Sequence, residues 1–453
     1  MTITKYPKYY GTGFGWLGEI PEGWILKRLG HFFFERREKV SDKDFQPLSV
    51  TKNGIVPRLE TAAKTQDGDN RKKVIAGDFV INSRSDRKGS SGLSELDGSV
   101  SLICIVLEPN EISGRFAHHL FRSEMFQEEF YRNGKGIVAD LWSTGFSEMK
   151  NIVIPVPSLP EQTQIARFLD QETAKIDTLI REQERLIALL QEKRQAVISH
   201  AVTKGLDPNV PMKDSGVEWL GEVPAHWLVG KLRWYATIQG GIAKGKDYED
   251  KKTVSLPYLR VANVQVGYVD LTVVKEIAVL ESEIERYSLK SGDVLMNEGG
   301  DNDKLGRGTV WKAEIEPCLH QNHVFAIRPN EHLNPEWLAI FTQSSRARSY
   351  FYLNSKQSTN LASISSSNVM NLDLPMPPVG EQCQILDFLA NELLRFTELQ
   401  SQAETGIRLL SERRSALISA AVTGKIDVRN WQPPSDESAF GEEVRQAGME
   451  ATA

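Results

Sequence analysis

The stretch Arg194-Gln-Ala-Val-Ile-Ser-His-Ala-Val-Thr203 returns 220 residues later as Arg414-Ser-Ala-Leu-Ile-Ser-Ala-Ala-Val-Thr423. The pair Glu161-Gln162 returns at the same offset as Glu381-Gln382, so nothing is inserted or deleted between these landmarks. Packed helices tolerate length changes poorly, because each added residue rotates everything after it by about 100°. The copies at 161–202 and 381–422 therefore read as two helices. In the first, Ile165, Ile176, Ile187 and Ile198 recur every eleven residues, with Phe168, Leu179, Leu190 and Ala201 three further on. The second gives Ile385, Phe396, Ile407 and Ile418, then Phe388, Leu399, Leu410 and Ala421. Rows at i and i+3 form one apolar stripe. A period of about 3.67 residues per turn keeps that stripe nearly straight. So narrow a stripe on a helix roughly 60 Å long needs a partner. The other copy supplies one, and these rows are the expected packing residues.

The repeat extends outward from the helices. Gly15-Trp-Leu-Gly-Glu-Ile-Pro-Glu-Gly-Trp24 is matched by Glu218-Trp-Leu-Gly-Glu-Val-Pro-Ala-His-Trp227. Ala76-Gly-Asp-Phe-Val-Ile-Asn82 is matched by Ser291-Gly-Asp-Val-Leu-Met-Asn297, where Gly-Asp predicts a turn opening a strand. Short β-like runs with turns surround both. Each half reads as a β-rich α+β globule followed by a long helix. Ser158-Leu-Pro-Glu161 has the pattern of a capping box with Pro in the first turn, and Gly205 and Gly424 are C-terminal stop signals. Gly406 interrupts the second helix without an evident reason. The expected segments are a first globule at 1–157, a helix at 158–208, a second globule at 209–377, a helix at 378–430 and an acidic, disordered tail at 431–453.

The chain has 453 residues, 40% hydrophobic and 25% charged, and a formal net charge of −6. The first globule carries +2, the second −2 and the tail −4, so the acidity is largely a tail. A near-neutral globule can still bind nucleic acid through one basic face, though weakly alone. No apolar run approaches a membrane span, and the N-terminus lacks a signal peptide's apolar core. Cys104, Cys318 and Cys383 have no metal-like spacing and read as buried thiols. A cytoplasmic protein is expected.

The order globule, helix, globule, helix, with antiparallel helices, predicts two β-rich heads separated by a coiled-coil-like rod, related by a pseudo-two-fold. Two-fold protein symmetry matches two half-sites on a duplex. The head loops differ, which predicts two different half-sites in opposite orientation. The chain resembles the specificity subunit of Type I restriction-modification systems over about residues 14–430. The resemblance rests on the Trp-Leu-Gly-Glu-Ile/Val-Pro-x-x-Trp block and the Gly-Asp strand. It rests also on Ile154-Pro-Val-Pro157 with Glu161-Gln162, Leu374-Pro-Met-Pro377 with Glu381-Gln382, and the doubled Ile-Ser-x-Ala-Val-Thr ending. It implies two target-recognition domains, helices that act as a ruler, and docking of two methyltransferase subunits. Those partners would use S-adenosylmethionine. Translocase/endonuclease subunits would use ATP and Mg, and this chain would bind no cofactor and no metal and catalyse nothing.

Base reading calls for Arg or Lys on guanine and Asn or Gln on adenine. In the first head the candidates are Asn82, Arg84, Arg87 and Lys88, with Lys135, Ser143 and Thr144 in a second polar loop that also holds Trp142. In the second they are Gln239, Lys244 and Lys246, then Asn302, Lys304 and Arg307, then Lys356, Gln357, Ser358 and Thr359. Gly240-Gly-Ile-Ala-Lys-Gly-Lys246 nearly spells a P-loop but is followed by Asp247 and no helix. His320-Gln-Asn-His323 lacks the spacing of a zinc protease. The competing readings are a structural adaptor holding two proteins apart and an enzyme acting on nucleic acid by itself.

Overall fold

The structure is a computed structural model that describes residues 4–60, 68–136, 142–245, 248, 251–300, 305–306, 308–357 and 362–433. It divides into two compact units, Met1–Gln183 with Thr405–Ala453, and Glu184–Glu404.

In the first unit a four-stranded antiparallel sheet runs in the order Ser91–Leu93, Phe79–Asn82, Cys104–Pro109, Phe33–Glu35. Strand Phe79–Asn82 is buried on both faces. Phe79 and Ile81 point into one core and Val80 into another, as the two-residue period of a strand requires. The helices Gly114–Arg122 and Glu124–Arg132 cover the first of these cores, where Phe121 sits 5.0 Å from Phe33, 5.0 Å from Phe79 and 4.6 Å from Phe126. The Gly-Asp turn has a second role that its sequence does not announce. Asp78 accepts the Ile75 amide at 2.9 Å and two bonds from the Arg36 guanidinium at 2.8 and 3.1 Å.

The second unit repeats this design. Its sheet runs Gly308–Val310, Val294–Asn297, Val324–Pro329, Ala236–Gly240, covered by helices Pro335–Phe341 and Ser345–Leu353. Asp293 accepts the Lys290 amide and two bonds of 2.7 Å from Arg328. Arg328 stands where the repeat has Glu108, while Arg36 lies at the end of the neighbouring strand and also pairs with Glu108 at 3.1 Å. The buried carboxylate is the same in both units, but its guanidinium arrives from a different strand.

The two long helices are Leu159–Lys204 and Val379–Val422. In the first unit Ile165, Phe168 and Leu169 share a core with Ile418, Ala421 and Val422. In the second, Ile198, Ala201 and Val202 share one with Ile385 and Leu389. In each unit the start of one helix thus packs on the end of the other, the antiparallel arrangement expected. Both helices stop at a glycine with φ of +74°, Gly205 and Gly424. The expected stripe needs correction at several places. Ile176, Leu190 and Phe396 are buried and Ile187, Ile407 and Leu410 half-buried, but Leu179, Phe388 and Leu399 are 51%, 41% and 46% exposed. Leu389, four residues after Ile385, is buried where Phe388 was expected. Spacings of three and four both fall on one helix face, and only packing chooses between them.

Glu161 does not close the expected capping box; its carboxylate turns to Tyr6 and Trp24. The described chain also continues past the expected start of the tail. Trp431 packs edge-on against Phe168 at 5.3 Å, and its carbonyl accepts from Gln164. Cys104 and Cys318 are buried, and burial pushes both thiols up to about 12. Cys383 is exposed, contrary to the buried thiol expected. Among the described residues no helix is long and apolar enough to cross a membrane.

Candidate nucleic-acid interface

The two polar loops picked out in the first head come together. Arg84 and Lys135 both bridge to Ser143. The Ser85 amide donates to the Trp142 carbonyl at 2.9 Å, and the Thr144 amide to the Ser83 carbonyl at 3.0 Å. The second head builds the same junction. Gly299 pairs with Ser363 and Gly300 with Ala362, Lys356 and Gln357 pair with the same two residues, and the Ile364 amide donates to the Glu298 carbonyl at 2.8 Å. A loop leaving the Gly-Asp strand is thus pinned, in both units, by the segment that precedes the long helix.

At this junction Arg84, Arg87, Lys88 and Lys135 keep exposed or half-exposed cationic heads. Each has an acid beside it: Asp86 at 3.5 Å from Arg84 and 3.7 Å from Arg87, Glu128 against Lys88, and Glu148 at 2.8 Å from Lys135. Bonds from Lys135 and Ser147 hold Glu148 down at about 2. Exposed pairs of this kind are worth about 0–1 kcal/mol, so a phosphate or base edge can replace the acid at little cost. Ser143 is exposed between the two loops.

Two candidates serve the scaffold instead. Asn82 is 8% exposed and its Oδ1 accepts the Arg84 amide at 3.1 Å, which shapes the start of the loop. Thr144 is fully buried and its hydroxyl donates to the Phe130 carbonyl at 2.8 Å. In the second head Gln239 lies half-buried in strand Ala236–Gly240, Lys244 is exposed in the following turn, and Lys356 and Gln357 are exposed in a short strand. Lys246, Asn302, Lys304, Arg307, Ser358 and Thr359 lie outside the described residues.

One glycine of the P-loop-like segment, Gly241, has a packing role. A Cβ on Gly241 would meet the His320 carbonyl oxygen at 2.1 Å and that of Gln321 at 2.4 Å. His320 and His323 part company: Nδ1 of His320 bonds the Val324 carbonyl at 2.7 Å, and Nδ1 of His323 bonds Glu298 at 2.6 Å.

What the sequence left unexplained is why Glu-Gln and Trp recur. Glu161 accepts the Trp24 indole N–H at 3.0 Å and the Tyr6 hydroxyl at 2.6 Å. Glu381 accepts the Trp227 indole N–H at 3.0 Å and bonds His226 at 2.8 Å. Gln162 and Gln382, both buried, accept the amides of Ser113 and Asn334 at 2.8 and 2.9 Å and donate to Pro157 and Pro377, each at 2.9 Å. The same Trp rings meet the glycines that end the opposite helix, since a Cβ on Gly424 would lie 3.2 Å from Trp24 and one on Gly205 3.3 Å from Trp227. Each indole therefore locks the start of one long helix and the end of the other to its own globule. Repetition of the words was the signal for this clamp; their contact was not visible.

Comparison with known proteins agrees with this twofold plan. The family model of the Type I restriction modification DNA specificity domain matches residues 21–188 and again 226–407. The chain is 24% identical to the Type I restriction enzyme EcoKI specificity subunit of Escherichia coli strain K12, over 96% of this chain and 95% of that one. It is 22% identical to the StySPI specificity subunit of Salmonella potsdam, over 96% and 95%. Among solved structures it superimposes with a TM-score of 0.67 at 16% identity on a chain of a type I R-M system, covering 89% of this chain and 98% of that one. The HsdS subunit from Thermoanaerobacter tengcongensis gives 0.54 at 19% identity, covering 92% and 100%. With two matches that together span most of its length, the chain belongs to the Type I restriction-modification specificity subunits and carries two target-recognition domains.

Proposed function

We propose that this chain reads a split, asymmetric DNA target, one half-site per domain, on behalf of methyltransferase and translocase/endonuclease subunits. The observation that carries the proposal is the loop junction. The same backbone pairing recurs in both units, yet it presents Arg84, Arg87, Lys88 and Lys135 in one and Gly299, Gly300, Lys356 and Gln357 in the other. A repeated frame with unlike contents suits two unlike half-sites. On this reading the recognition domains are 1–157 and 209–377, and the helix pair sets the spacer and docks two methyltransferase subunits. This chain contributes no catalytic step. S-adenosylmethionine, ATP and Mg belong to the partners, and the complex works in the cytoplasm.

The test is to express the chain with its neighbouring methyltransferase gene and map methyladenine across the host genome. A split, asymmetric motif is expected, and replacing residues 83–90 should change one half of it only. An active methyltransferase with a soluble chain and no motif would sink the proposal. So would a loop replacement that alters both halves, or a map that leaves only the adaptor reading.

A further inference from the structure

A cleft of about 550 Å³ opens in the first unit, between Lys52, the recognition loop at Lys88, the helix that ends at Arg122, and the long helices at Asp177 and Arg414. The 220-residue repeat puts a cleft of about 560 Å³ at the matching place in the second unit. The walls differ in kind. Arg414 is matched by Arg194, but His119 is matched by Ala339, Asp170 by Ala390 and Thr173 by Leu393. One position in the repeated frame is thus charged in the first unit and largely apolar in the second.

The charges of the first cleft do not cancel. Arg414 holds Asp177 through bonds of 2.8 and 3.3 Å. Asp170 is taken by His119 at 2.7 Å and Arg115 at 3.4 Å. Lys88 has Glu128. Arg122 has no carboxylate among the described residues at ion-pair distance; its guanidinium reaches the Lys52 carbonyl and, at 3.1 Å, Nε2 of His118. His118 cannot satisfy it fully. Its Nδ1 already faces the Leu93 amide at 3.0 Å. Burial, with His119 and Arg122 nearby, pushes this imidazole down to about 3, so the ring is neutral and has one acceptor nitrogen. Two N–H donors compete for one lone pair. Burial and the neighbouring Arg414 also disfavour the Arg122 charge. The half-buried guanidinium here has the Lys52 carbonyl as its one uncontested acceptor and, among the described residues, no carboxylate at ion-pair distance.

We propose that this cleft binds a phosphate group, with Arg122 as the central contact and Lys52 and Lys88 beside it. The proposal deepens the half-site reading, on which it rests, because Lys88 belongs to the 83–90 loop. The phosphate is then a DNA phosphodiester flanking the bases that loop reads; a free phosphate is the other source of the same chemistry. The second unit, with Thr342 in place of Arg122 and Leu338 in place of His118, forms no such contact.

Two variants test it in the full chain. Arg122→Gln removes the central charge. Lys52→Gln removes an exposed charge, and it carries the decision if the first variant folds poorly. For the DNA source, the complex with its methyltransferase is titrated with target and non-target duplexes over a salt series. Arg122→Gln should weaken both by about tenfold, and the slope of log affinity on log salt should become shallower by about one. For the free source, inorganic phosphate should raise the thermal midpoint of the wild-type chain, relative to chloride at equal ionic strength, and not that of the variants. Variants that match the wild type in both arms overturn the proposal, and so does a loss confined to the target duplex, which would mark a base contact. If the wild-type complex prefers no duplex, the half-site reading fails, and the phosphate arm still decides the cleft.

Discussion

Glu161 takes two buried donors onto one carboxylate oxygen, the Trp24 indole and the Tyr6 hydroxyl. Burial and the bond to Glu161 keep the Tyr6 phenol protonated, so it remains a donor at any ordinary pH. Glu161→Ala strands both donors, and each buried, unsatisfied group costs about 1–3 kcal/mol. Chemical denaturation should show a loss of about 3 kcal/mol, and Glu161→Gln, which keeps an acceptor oxygen, less than half of that. Glu381→Ala should cost less, because one of its partners, His226, is half-exposed and can turn to water. An equal loss at the two sites would contradict this account. At the scale of single residues the sequence showed which words recur but not which side chains meet. Glu161 is 137 residues from Trp24. Arg36 and Arg328 occupy unequal positions in the repeat, so no alignment of the halves pairs them with the same aspartate. Asn82 and Thr144 had the right chemistry for base contacts, but the strand pairing around them turns their side chains inward.

The long helices were the most legible elements, because a fixed offset and a sustained apolar row report on azimuth directly. The row could not say how wide the covered face is. Leu179, Phe388 and Leu399 obey the period and are nevertheless 51%, 41% and 46% exposed. The recognition loops were legible as polar segments, whereas their pairing was not, since it joins stretches about sixty residues apart. Nothing in the structure explains Gly406. It lies inside helix Val379–Val422 with an ordinary helical backbone, and a Cβ there would meet only the Gln183 side chain, at 4.0 Å. Neither close packing nor a left-handed conformation demands glycine. Gly406→Ala should therefore stabilise the chain by about 1 kcal/mol, through helix propensity and a less mobile unfolded state. Urea unfolding would detect it, and a loss of stability would mean that the contact at Gln183 is tighter than the geometry states.

At the scale of the whole molecule the proposal assigns sequence reading to the loops and spacing to the helices, and the two can be separated by insertion. Four residues added between Ile176 and Ile187, with four more between Phe396 and Ile407, add about one turn to each helix, roughly 6 Å at 1.5 Å per residue. Both insertions lie away from the helix ends held by the clamps at Trp24 and Trp227, so those clamps are untouched. The rise of a DNA base pair is about 3.4 Å, so the preferred spacer should grow by one or two base pairs while both half-sites stay the same. The methyladenine map of a host carrying the lengthened chain reads this directly. An unchanged spacer would remove the ruler from the proposal and leave the heads intact. Changed half-sites would mean that the helices shape the recognition loops themselves, and the division between reading and measuring would fall. The clamp geometry argues against that second outcome. In each unit the bonds from Glu161 or Glu381 and from Gln162 or Gln382 fix the helix start to its own globule, and the added turns lie farther along the helix than those bonds.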